Sequence, residues 1–361
     1  MQFGINYVIQ GAIKIDSVWL LVRLPRIILS IFKHSRHIMT YPHLLADIGG
    51  TNARFALETA PGKLDAISVL PCSDFATISH VINAYLSQPA AQQAGAAEVS
   101  HVGIAIANPV YGDLIKMTNH HWAFSVQEVQ RAFNFKTLLV VNDFKALAMA
   151  LPFLDQSQKH QVGSGTARQD GVIGLLGAGT GLGVSGLIPA GDTWLALDSE
   201  GGHCSFAPTN AREIAILQFA LRTYKHVSAE RLLSGAGLVL IYRGLADLQN
   251  RTAEDIDPPE IMRRGLSAEC PICSDVLVLF CELLGTMASN LAITLGSKGG
   301  IYIGGGIVPR LGRFFDQSPF RQRFEQKGRF ANYLEQIPTF VITEPYPAFI
   351  GISAMLQQLS R

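Results

Sequence analysis

The sequence has few cysteines, almost no net charge and no basic surplus, and each of these gaps excludes a class of protein. Its five cysteines are odd in number and scattered, so they do not form a disulfide framework. With 29 basic and 28 acidic residues, nothing points to nucleic acid as the main partner. Hydrophobic residues make up 48% and charged residues 16% of 361 residues, which indicates a well-packed chain long enough for two domains.

Residues 1–38 differ in composition from the rest of the chain. Two apolar runs, 17–22 and 27–32, are separated by two arginines and a proline, and neither reaches the ~20 residues that span a bilayer. No small-residue cleavage site of a signal peptide follows them. Three interpretations stay open: a basic membrane-surface segment, an added helix that packs on the body, or upstream sequence from a wrong start codon. Met39 directly precedes the first functional strand, so we favour it as the natural start.

Along the body, one pattern of strand, glycine-rich turn and strand occurs twice, around 47–52 and around 177–183. Residues 155–170 are polar and rich in glycine and serine, which predicts a linker. The apolar segment 276–295 is long enough to raise a membrane question, but it contains Glu282 and predicts a buried helix between domains. Further helices are predicted over 75–88, 125–133, 146–151, 211–222 and 235–248, and strands over 101–107, 138–141, 172–176, 184–188 and 300–303.

The turn at 47–52 offers backbone N–H groups to phosphate oxygens, and Asp47 in it can hold Mg²⁺ through water. The turn is neither a Walker loop nor a Rossmann fingerprint, because no Gly-Lys-Ser/Thr follows and a strand leaves it. The second turn, 177–183, has alternate glycines, so a phosphate could rest on its backbone. Gly304 to Gly306 follow another strand and would let a flat base lie against the backbone. Each of these segments could instead be an ordinary bend or helix start.

Asn142 and Asp143 end an apolar strand, which is where α/β folds place catalysis. Phosphoryl transfer to an alcohol needs a carboxylate that takes the hydroxyl proton, so Asp143 is the candidate general base. Either residue could instead cap the following helix. Glu200 and His203 flank two glycines and offer the donors and acceptors that a sugar needs, although each could be a solvated loop residue. Glu230 could simply complement a helix dipole.

These motifs resemble the bacterial glucokinases of the hexokinase, actin and Hsp70 ATPase superfamily, over residues 41 to about 355. The resemblance implies an α/β fold with two actin-like ATPase (ribonuclease H-like) domains flanking a cleft. The small domain would comprise 41–152 plus 345–361 and the large domain 153–344. The matching segments, in the family's order, are 47–54, 117–124, 142–144, 177–183, 200–203, 226–231 and 304–310.

The same resemblance implies ATP-dependent phosphorylation of D-glucose at the 6-hydroxyl, with ATP and Mg²⁺. Asp143 would be the base, Asn142, Glu200, His203 and Glu230 would hold the other hydroxyls, and Asp47 would hold Mg²⁺ through water. It further implies a cytoplasmic homodimer, with no nucleic acid and no membrane for residues 39–361. The nucleotide would be bound by Ala46, Asp47, Ile48, Gly49, Gly50, Thr51, Asn52, Gly179, Thr180, Gly181, Gly304, Gly305 and Gly306.

Two features depart from the family pattern. The related repressor and sugar-kinase group carries a cysteine-rich zinc motif beside its substrate histidine, whereas only Cys204 follows His203 here. Cys270 and Cys273 could be half of a zinc site, but no second pair follows at a suitable spacing. We therefore expect structural or incidental thiols and no zinc. The extension 1–38 is the second departure, and it bears on the cytoplasmic location.

Other functions stay open at this point. The chain could be a kinase for another hexose, such as mannose, fructose or glucosamine. It could also be an actin- or Hsp70-like ATPase that phosphorylates no sugar, although the polar loops at 200–203 and 226–231 favour a sugar pocket. A sugar-responsive regulator is disfavoured, because it would need a helix-turn-helix and a basic face.

Overall fold

The computed structural model describes residues 12–15, 18–21, 39–118 and 120–359. Strands β1 (Ala12–Ile15) and β2 (Val18–Leu21) pair as an antiparallel hairpin and belong to one unit of the chain, while Thr40–Leu359 form another. The three interpretations of residues 1–38 concern mostly residues outside the described ranges. Asn119 of the matching segment 117–124 also lies outside them.

The strands of Thr40–Leu359 build two mixed sheets and a short ribbon. They are β3 (His43–Ile48), β4 (Asn52–Ala60), β5 (Lys63–Pro71), β6 (His101–Ile106), β7 (Leu114–Lys116), β8 (Ala123–Ser125), β9 (Thr137–Asn142), β10 (Lys159–Val162), β11 (Ile173–Ala178), β12 (Leu182–Ala190), β13 (Thr193–Ala196), β14 (Gly300–Gly304) and β15 (Thr339–Ile342).

The two sheets share one strand order. The first runs β5-β4-β3-β6-β9, and the second runs β13-β12-β11-β14-β15 with β10 added beyond β15. In each sheet a hairpin supplies two antiparallel strands, and the inner strand of that hairpin then pairs in parallel with the next strand along the sheet. The predicted repeat of strand, turn and strand is therefore confirmed, and it extends to whole sheets.

Two predictions for residues 155–183 are wrong in detail. The supposed linker 155–170 contains β10, because Lys159 pairs with Ile342 at the edge of the second sheet. The second glycine turn is shorter than predicted, since β11 continues to Ala178 and β12 starts at Leu182. Gly177 and Gly183 consequently pair with each other inside the hairpin strands rather than in the turn.

The predicted helices are present, with shifted boundaries except for the one over 235–248, and Ser125 caps the helix that starts at Val126 by accepting a hydrogen bond from Glu128 N at 3.1 Å. The helix predicted over 146–151 starts earlier, at Asp143. The helices are α1 (Ile78–Leu86), α2 (Pro89–Gln93), α3 (Val126–Ala132), α4 (Asp143–Ala150), α5 (Ala211–Leu221), α6 (Gly235–Leu248), α7 (Pro258–Leu266), α8 (Pro271–Leu295), α9 (Val308–Leu311), α10 (Arg313–Gln317), α11 (Phe320–Glu325), α12 (Ala331–Glu335) and α13 (Pro347–Leu359).

Helix α8 covers the segment that raised the membrane question. By length and composition alone its 25 residues could cross a bilayer, yet 67% of its most apolar window is buried inside the protein. Leu277, Phe280 and Leu284 have no solvent exposure and join the core that also contains residues of β11 and β14. The prediction that this helix is buried is confirmed, and its place between domains stays a prediction.

Helix α13 packs against α4 and also contacts β3 and β6. Gly351 of α13 approaches the Ala146 carbonyl of α4 so closely that a Cβ there would overlap it. Gly103 of β6 likewise leaves room for the Ile352 side chain. Close packing of this kind needs glycine, and it fixes the helix that begins at Asp143.

Glu58 of β4 is wholly buried, and α13 supplies one of its partners. Its carboxylate lies 3.1 Å from Nδ1 of His43, accepts a hydrogen bond from Gly62 N at 3.0 Å, and accepts another from Ser353 Oγ at 2.7 Å. Although burial opposes it, these three hydrogen bonds lower the pKa of Glu58. The carboxylate thus ties the first hairpin to the helix α13.

Candidate active site

The carboxyl ends of β3, β6 and β9 lie level with one another. Ile48 pairs with Ile106, and Ile106 pairs with Asn142. The residues that follow these strands, namely the 49–51 turn and Asp143, therefore lie at the same edge of the first sheet. Asp47, one residue before the end of β3, belongs to the same edge.

The Asn142 side chain holds the first turn of α4. Its Oδ1 accepts hydrogen bonds from Phe144 N at 2.9 Å and Lys145 N at 3.1 Å, so the capping role that either residue could have had belongs to Asn142. Its Nδ2 donates to Asp143 Oδ1 at 3.1 Å and to the Asn108 carbonyl at 3.4 Å. A sugar hydroxyl would have to replace one of these four bonds, and the longest, to Asn108, is the weakest.

The Asp143 carboxylate accepts its hydrogen bonds on one oxygen, and it lies where burial disfavours its negative charge. Phe144 N donates to Oδ1 at 2.8 Å, beside the bond from Asn142. Burial raises the pKa of Asp143 to about 6; the Phe144 hydrogen bond opposes this, and the negative charge of Asp47 adds to it. A carboxylate with this pKa is ionised at neutral pH and accepts a proton more readily than an ordinary aspartate.

Asp47 is the second carboxylate of this edge. Burial raises its pKa, opposed by Arg54, whose Nη1 donates to Asp47 Oδ2 at 3.1 Å. No group of three or more His, Cys, Asp or Glu side chains that could hold a metal occurs among the described residues. Mg²⁺ binds through one or two carboxylates, waters and substrate phosphates, so Asp47 with Asp143 nearby fits an ion that a phosphate substrate would complete.

The other predicted residues of the first turn contribute backbone. Ala46 and Ile48 are wholly buried in β3, so only their main chain can reach a ligand. Gly49 N donates to the Asn52 carbonyl at 2.9 Å and closes the turn, while the Thr51 carbonyl accepts from Cys72 N at 2.8 Å. Gly50 and the Thr51 side chain remain at the surface of this turn.

The structure explains why glycine alternates in the second hairpin, which the sequence alone did not show. A Cβ at Gly177 or at Gly183 would overlap the ring of Phe144, which lies against both glycines. These two glycines therefore make room for a protein side chain, not for a phosphate. In the actual turn, Gly179 N donates to the Gly181 carbonyl at 2.9 Å, so the main-chain N–H groups of Thr180 and Gly181 are the candidates for a ligand.

The two predicted nucleotide turns of the second sheet lie together. Ile307 N donates to the Ala178 carbonyl at 3.2 Å, and Gly305, with a left-handed φ of +83°, lies against that residue's backbone. Gly235 N, at the start of α6, donates to the Gly179 carbonyl at 2.9 Å. Gly306 faces open space. Turn 179–181 and residues 304–306 thus form one backbone-lined surface beside a helix start.

The three predicted sugar-binding side chains of the second half also meet. His203 Nε2 lies 3.8 Å from Glu200 Oε2, and His203 Nδ1 lies 3.8 Å from Glu230 Oε1. Backbone pairing brings them together, because Glu230 N donates to the Gly202 carbonyl at 2.9 Å. The Glu200 and His203 side chains are mostly exposed, which leaves their polar atoms accessible to a ligand.

Glu230 does not stand at a helix start, so the helix-dipole alternative is wrong; α6 begins only at Gly235 and is capped by Ser234. Glu230 Oε2 instead accepts a hydrogen bond from Leu182 N at 3.1 Å, and a Cβ at Gly181 would overlap the same oxygen. One carboxylate therefore contacts both the loop predicted to bind the sugar and the second hairpin.

Two further contacts were not found from the sequence. Lys145 Nζ donates to Asp198 Oδ2 at 3.0 Å and joins the first turn of α4 to the loop that precedes Glu200. Asn108 accepts hydrogen bonds from Thr118 at both N, 2.9 Å, and Oγ1, 2.7 Å. Asn108 lies just after β6 and before a proline, and this position is the signal that could have marked it.

A model of the family described as glucokinase matches residues 44–359. The chain belongs to the glucokinase family. A glucokinase from Chromobacterium violaceum is 52% identical over 316 residues, which cover 88% of this chain and 89% of that protein. The crystal structure of a glucokinase from an Antarctic psychrotroph is 35% identical, with a TM-score of 0.81 over 89% of this chain and all of that one. These matches confirm the predicted glucokinase resemblance and the two-domain actin-like ATPase fold.

Some of the similar proteins are longer than this chain. The "Bifunctional protein glk" of Paraburkholderia xenovorans is 56% identical over 321 residues, which cover 88% of this chain and 49% of that protein. The chain thus spans about half the length of the first curated relatives that it matches.

Proposed function

We propose that this chain transfers the γ-phosphoryl group of ATP to the 6-hydroxyl of D-glucose, giving glucose 6-phosphate and ADP. The observation that carries the proposal is Asp143, a partly buried carboxylate with a pKa of about 6 at the carboxyl edge of the first sheet. The hydrogen bonds from Asn142 and Phe144 both end on Oδ1, so we assign acceptance of the hydroxyl proton to Oδ2. Removing that proton as the oxygen attacks phosphorus is the role of a general base.

The sugar is held, in this proposal, by Glu200, His203, Glu230 and Asn142. The first three gather through backbone pairing, and together they offer two carboxylates and an imidazole to adjacent hydroxyls. Asn142 supplies an amide next to the base. Carboxylates and an imidazole are suited to recognising the hydroxyls of a hexose. An actin- or Hsp70-like ATPase that has no sugar substrate would not need this cluster.

The nucleotide lies, in this proposal, between the two turns. Gly49 N and Gly179 N close their own turns, so the main chain of Gly50 and Thr51 and that of Thr180 and Gly181 offer N–H groups to the phosphates, and Gly304 to Gly306 lie beside the base or ribose. Asp47 would hold Mg²⁺ through water; when bound, the ion neutralises phosphate charge. Binding energy spent on positioning the γ-phosphate against the 6-hydroxyl supplies most of the rate.

The test is ADP release by the full chain with Mg-ATP, measured against a panel of hexoses. Strong stimulation by glucose with glucose 6-phosphate as product supports the proposal. Preferential stimulation by mannose, fructose or glucosamine would replace glucose as the substrate. ATP hydrolysis that no sugar changes would reject a sugar kinase in favour of the ATPase alternative.

Three further expectations are proposals of the same rank. The domain division at 41–152 plus 345–361 and 153–344 is supported by the packing of α13 on α4, β3 and β6. A cytoplasmic location and a homodimer rest on the family membership. Light scattering of the purified chain would test the dimer.

A further inference from the structure

Cys270 and Cys273 stand at the start of α8 in different environments. Cys270 is the N-cap residue, and its side chain makes no capping hydrogen bond. It is partly exposed, whereas the Cys273 side chain has no solvent exposure. Pro271 occupies the first helical position, where its missing N–H is not needed.

The helix geometry brings the two thiols together. The N-cap residue and the third helical residue face each other, as they do in a capping box. Burial, together with the side-chain contact to Cys270, raises the pKa of Cys273 to about 12, so the inner thiol keeps its proton. Cys270 is then the thiol that a reagent in solution meets first.

The pair stands at a position typical of redox-active dithiols, because Cys-X-X-Cys pairs of that kind are found at helix N-termini. Arg264 and Glu254 face the pair from α7 and the segment before it. The Arg264 Nη1 donates to Glu254 Oε2 at 2.9 Å, so the two charges largely offset each other. Cys270 N lies 3.4 Å from the Arg264 carbonyl, which fixes the outer cysteine to the end of α7.

Cys270 and Cys273 do not fit a structural metal site. A structural zinc needs four ligands, and the described part of the chain offers no group of three or more suitable side chains. Cys281 lies further along α8 and is wholly buried, with its pKa raised by burial to about 12. What remains for two touching thiols, one accessible and one inner, is thiol–disulfide exchange.

We propose that Cys270 and Cys273 form a redox-active dithiol that closes to an intramolecular disulfide when a low-molecular-weight disulfide reaches Cys270. The Cys270 thiolate attacks one sulfur of that disulfide, forms a mixed disulfide and releases one thiol. Cys273 then loses its proton and attacks the Cys270 sulfur, which releases the second thiol. Two protein thiols are oxidised and one external disulfide is reduced to two thiols. The site is separate from the proposed kinase function.

The experiment uses the full chain in buffers of reduced and oxidised glutathione at stepped ratios. Each sample is quenched with acid, its free thiols are alkylated, and the disulfides are mapped by mass spectrometry. The expected product lacks two hydrogen atoms within the peptide that contains Cys270 and Cys273. In C273A the reaction stops at a glutathione adduct on Cys270, which accumulates about tenfold above the parent level.

Matched variants separate the pair from other thiols. C270S should abolish both products, while C204S, which removes an exposed cysteine outside the pair, should leave the internal disulfide unchanged. C273S provides a second variant if C273A folds poorly. The proposal is overturned if no internal disulfide forms at any ratio, or if the Cys270 adduct is no more abundant without Cys273. Because the readout involves no sugar or ATP, failure here is distinct from failure of the kinase proposal.

Discussion

The Phe144 ring lies against Gly183, on the face of β12 where any other side chain would overlap it. It covers Gly177 in the same way, across the pair that joins β11 to β12. The main-chain N–H of the same residue donates to Asp143 Oδ1. Phe144 therefore sets the position of the proposed base relative to the hairpin that carries the second proposed phosphate turn.

Replacing Gly183 by alanine should reduce kcat by about 100-fold, because the new Cβ pushes on the ring and shifts Asp143 by a fraction of an ångström. Sugar affinity should stay within about twofold, since the substitution lies outside the loops proposed to bind the sugar. G186A is the control: a Cβ there meets Leu295 Cδ1 at 2.7 Å, away from Phe144. Steady-state kinetics and calorimetric glucose binding measure both effects.

Adding F144L to G183A should recover part of the lost kcat, because the smaller side chain leaves room for the new methyl group. Equal losses of kcat in G183A and G186A would contradict a positioning role. So would a double variant that is no better than G183A.

The acid limb of the pH–rate profile should report Asp143. Its pKa is raised to about 6, so below that pH the base holds a proton and cannot accept another. We expect kcat/KM for glucose to fall about tenfold per pH unit below about pH 6 and to be flat just above it. D143A should lower kcat by at least about 100-fold with glucose binding largely kept. An acid limb centred near 4, or substantial turnover by D143A, would remove Asp143 from this role.

Sugar affinity should depend on Gly181 through its contact with Glu230. A Cβ at Gly181 would overlap Glu230 Oε2 and move that carboxylate away from Leu182 N. G181A should therefore weaken glucose binding about tenfold in the absence of nucleotide, as E230Q should. G179A is the matched control from the same turn, because its Cβ would meet only Gly306 N at 3.9 Å. Calorimetry showing unchanged affinity in G181A would separate Glu230 from the sugar.

Removal of the Glu58 charge should destabilise the whole protein. E58Q should lower the free energy of unfolding at pH 7 by about 3 kcal/mol, because it breaks a buried, fully hydrogen-bonded carboxylate. The folded pKa of Glu58 is lowered, so its stabilising effect is full above the unfolded pKa and is lost as the pH falls through the folded value.

The difference between E58Q and the parent in denaturant titrations should accordingly shrink at acid pH. E98Q, which changes an exposed glutamate, should have no effect at either pH. A constant difference from neutral to acid pH would show that the ionised form of Glu58 is not what stabilises the fold.

The sequence predicts the repeated hairpins and Asp143 because strand ends and glycine turns are local signals. It does not predict why Gly177 and Gly183 are glycines, since their reason is the ring of Phe144, thirty-odd residues earlier in the chain. Nor does it show the Glu230 contact with Leu182, which depends on how two loops of the second half pair. The linker error at 155–170 has the same origin: β10 is a polar edge strand whose partner β15 is distant in sequence.

The bond from Ser353 Oγ to Glu58 spans 295 residues. A ribosome that has made the entire first sheet has not yet made the helix that covers it, and Gly103 still lacks the Ile352 side chain that fills the space above it. During synthesis of the second sheet, the newly made strands β3, β4 and β6 therefore remain partly uncovered. We expect chaperones that act during translation to bind this first half of the chain.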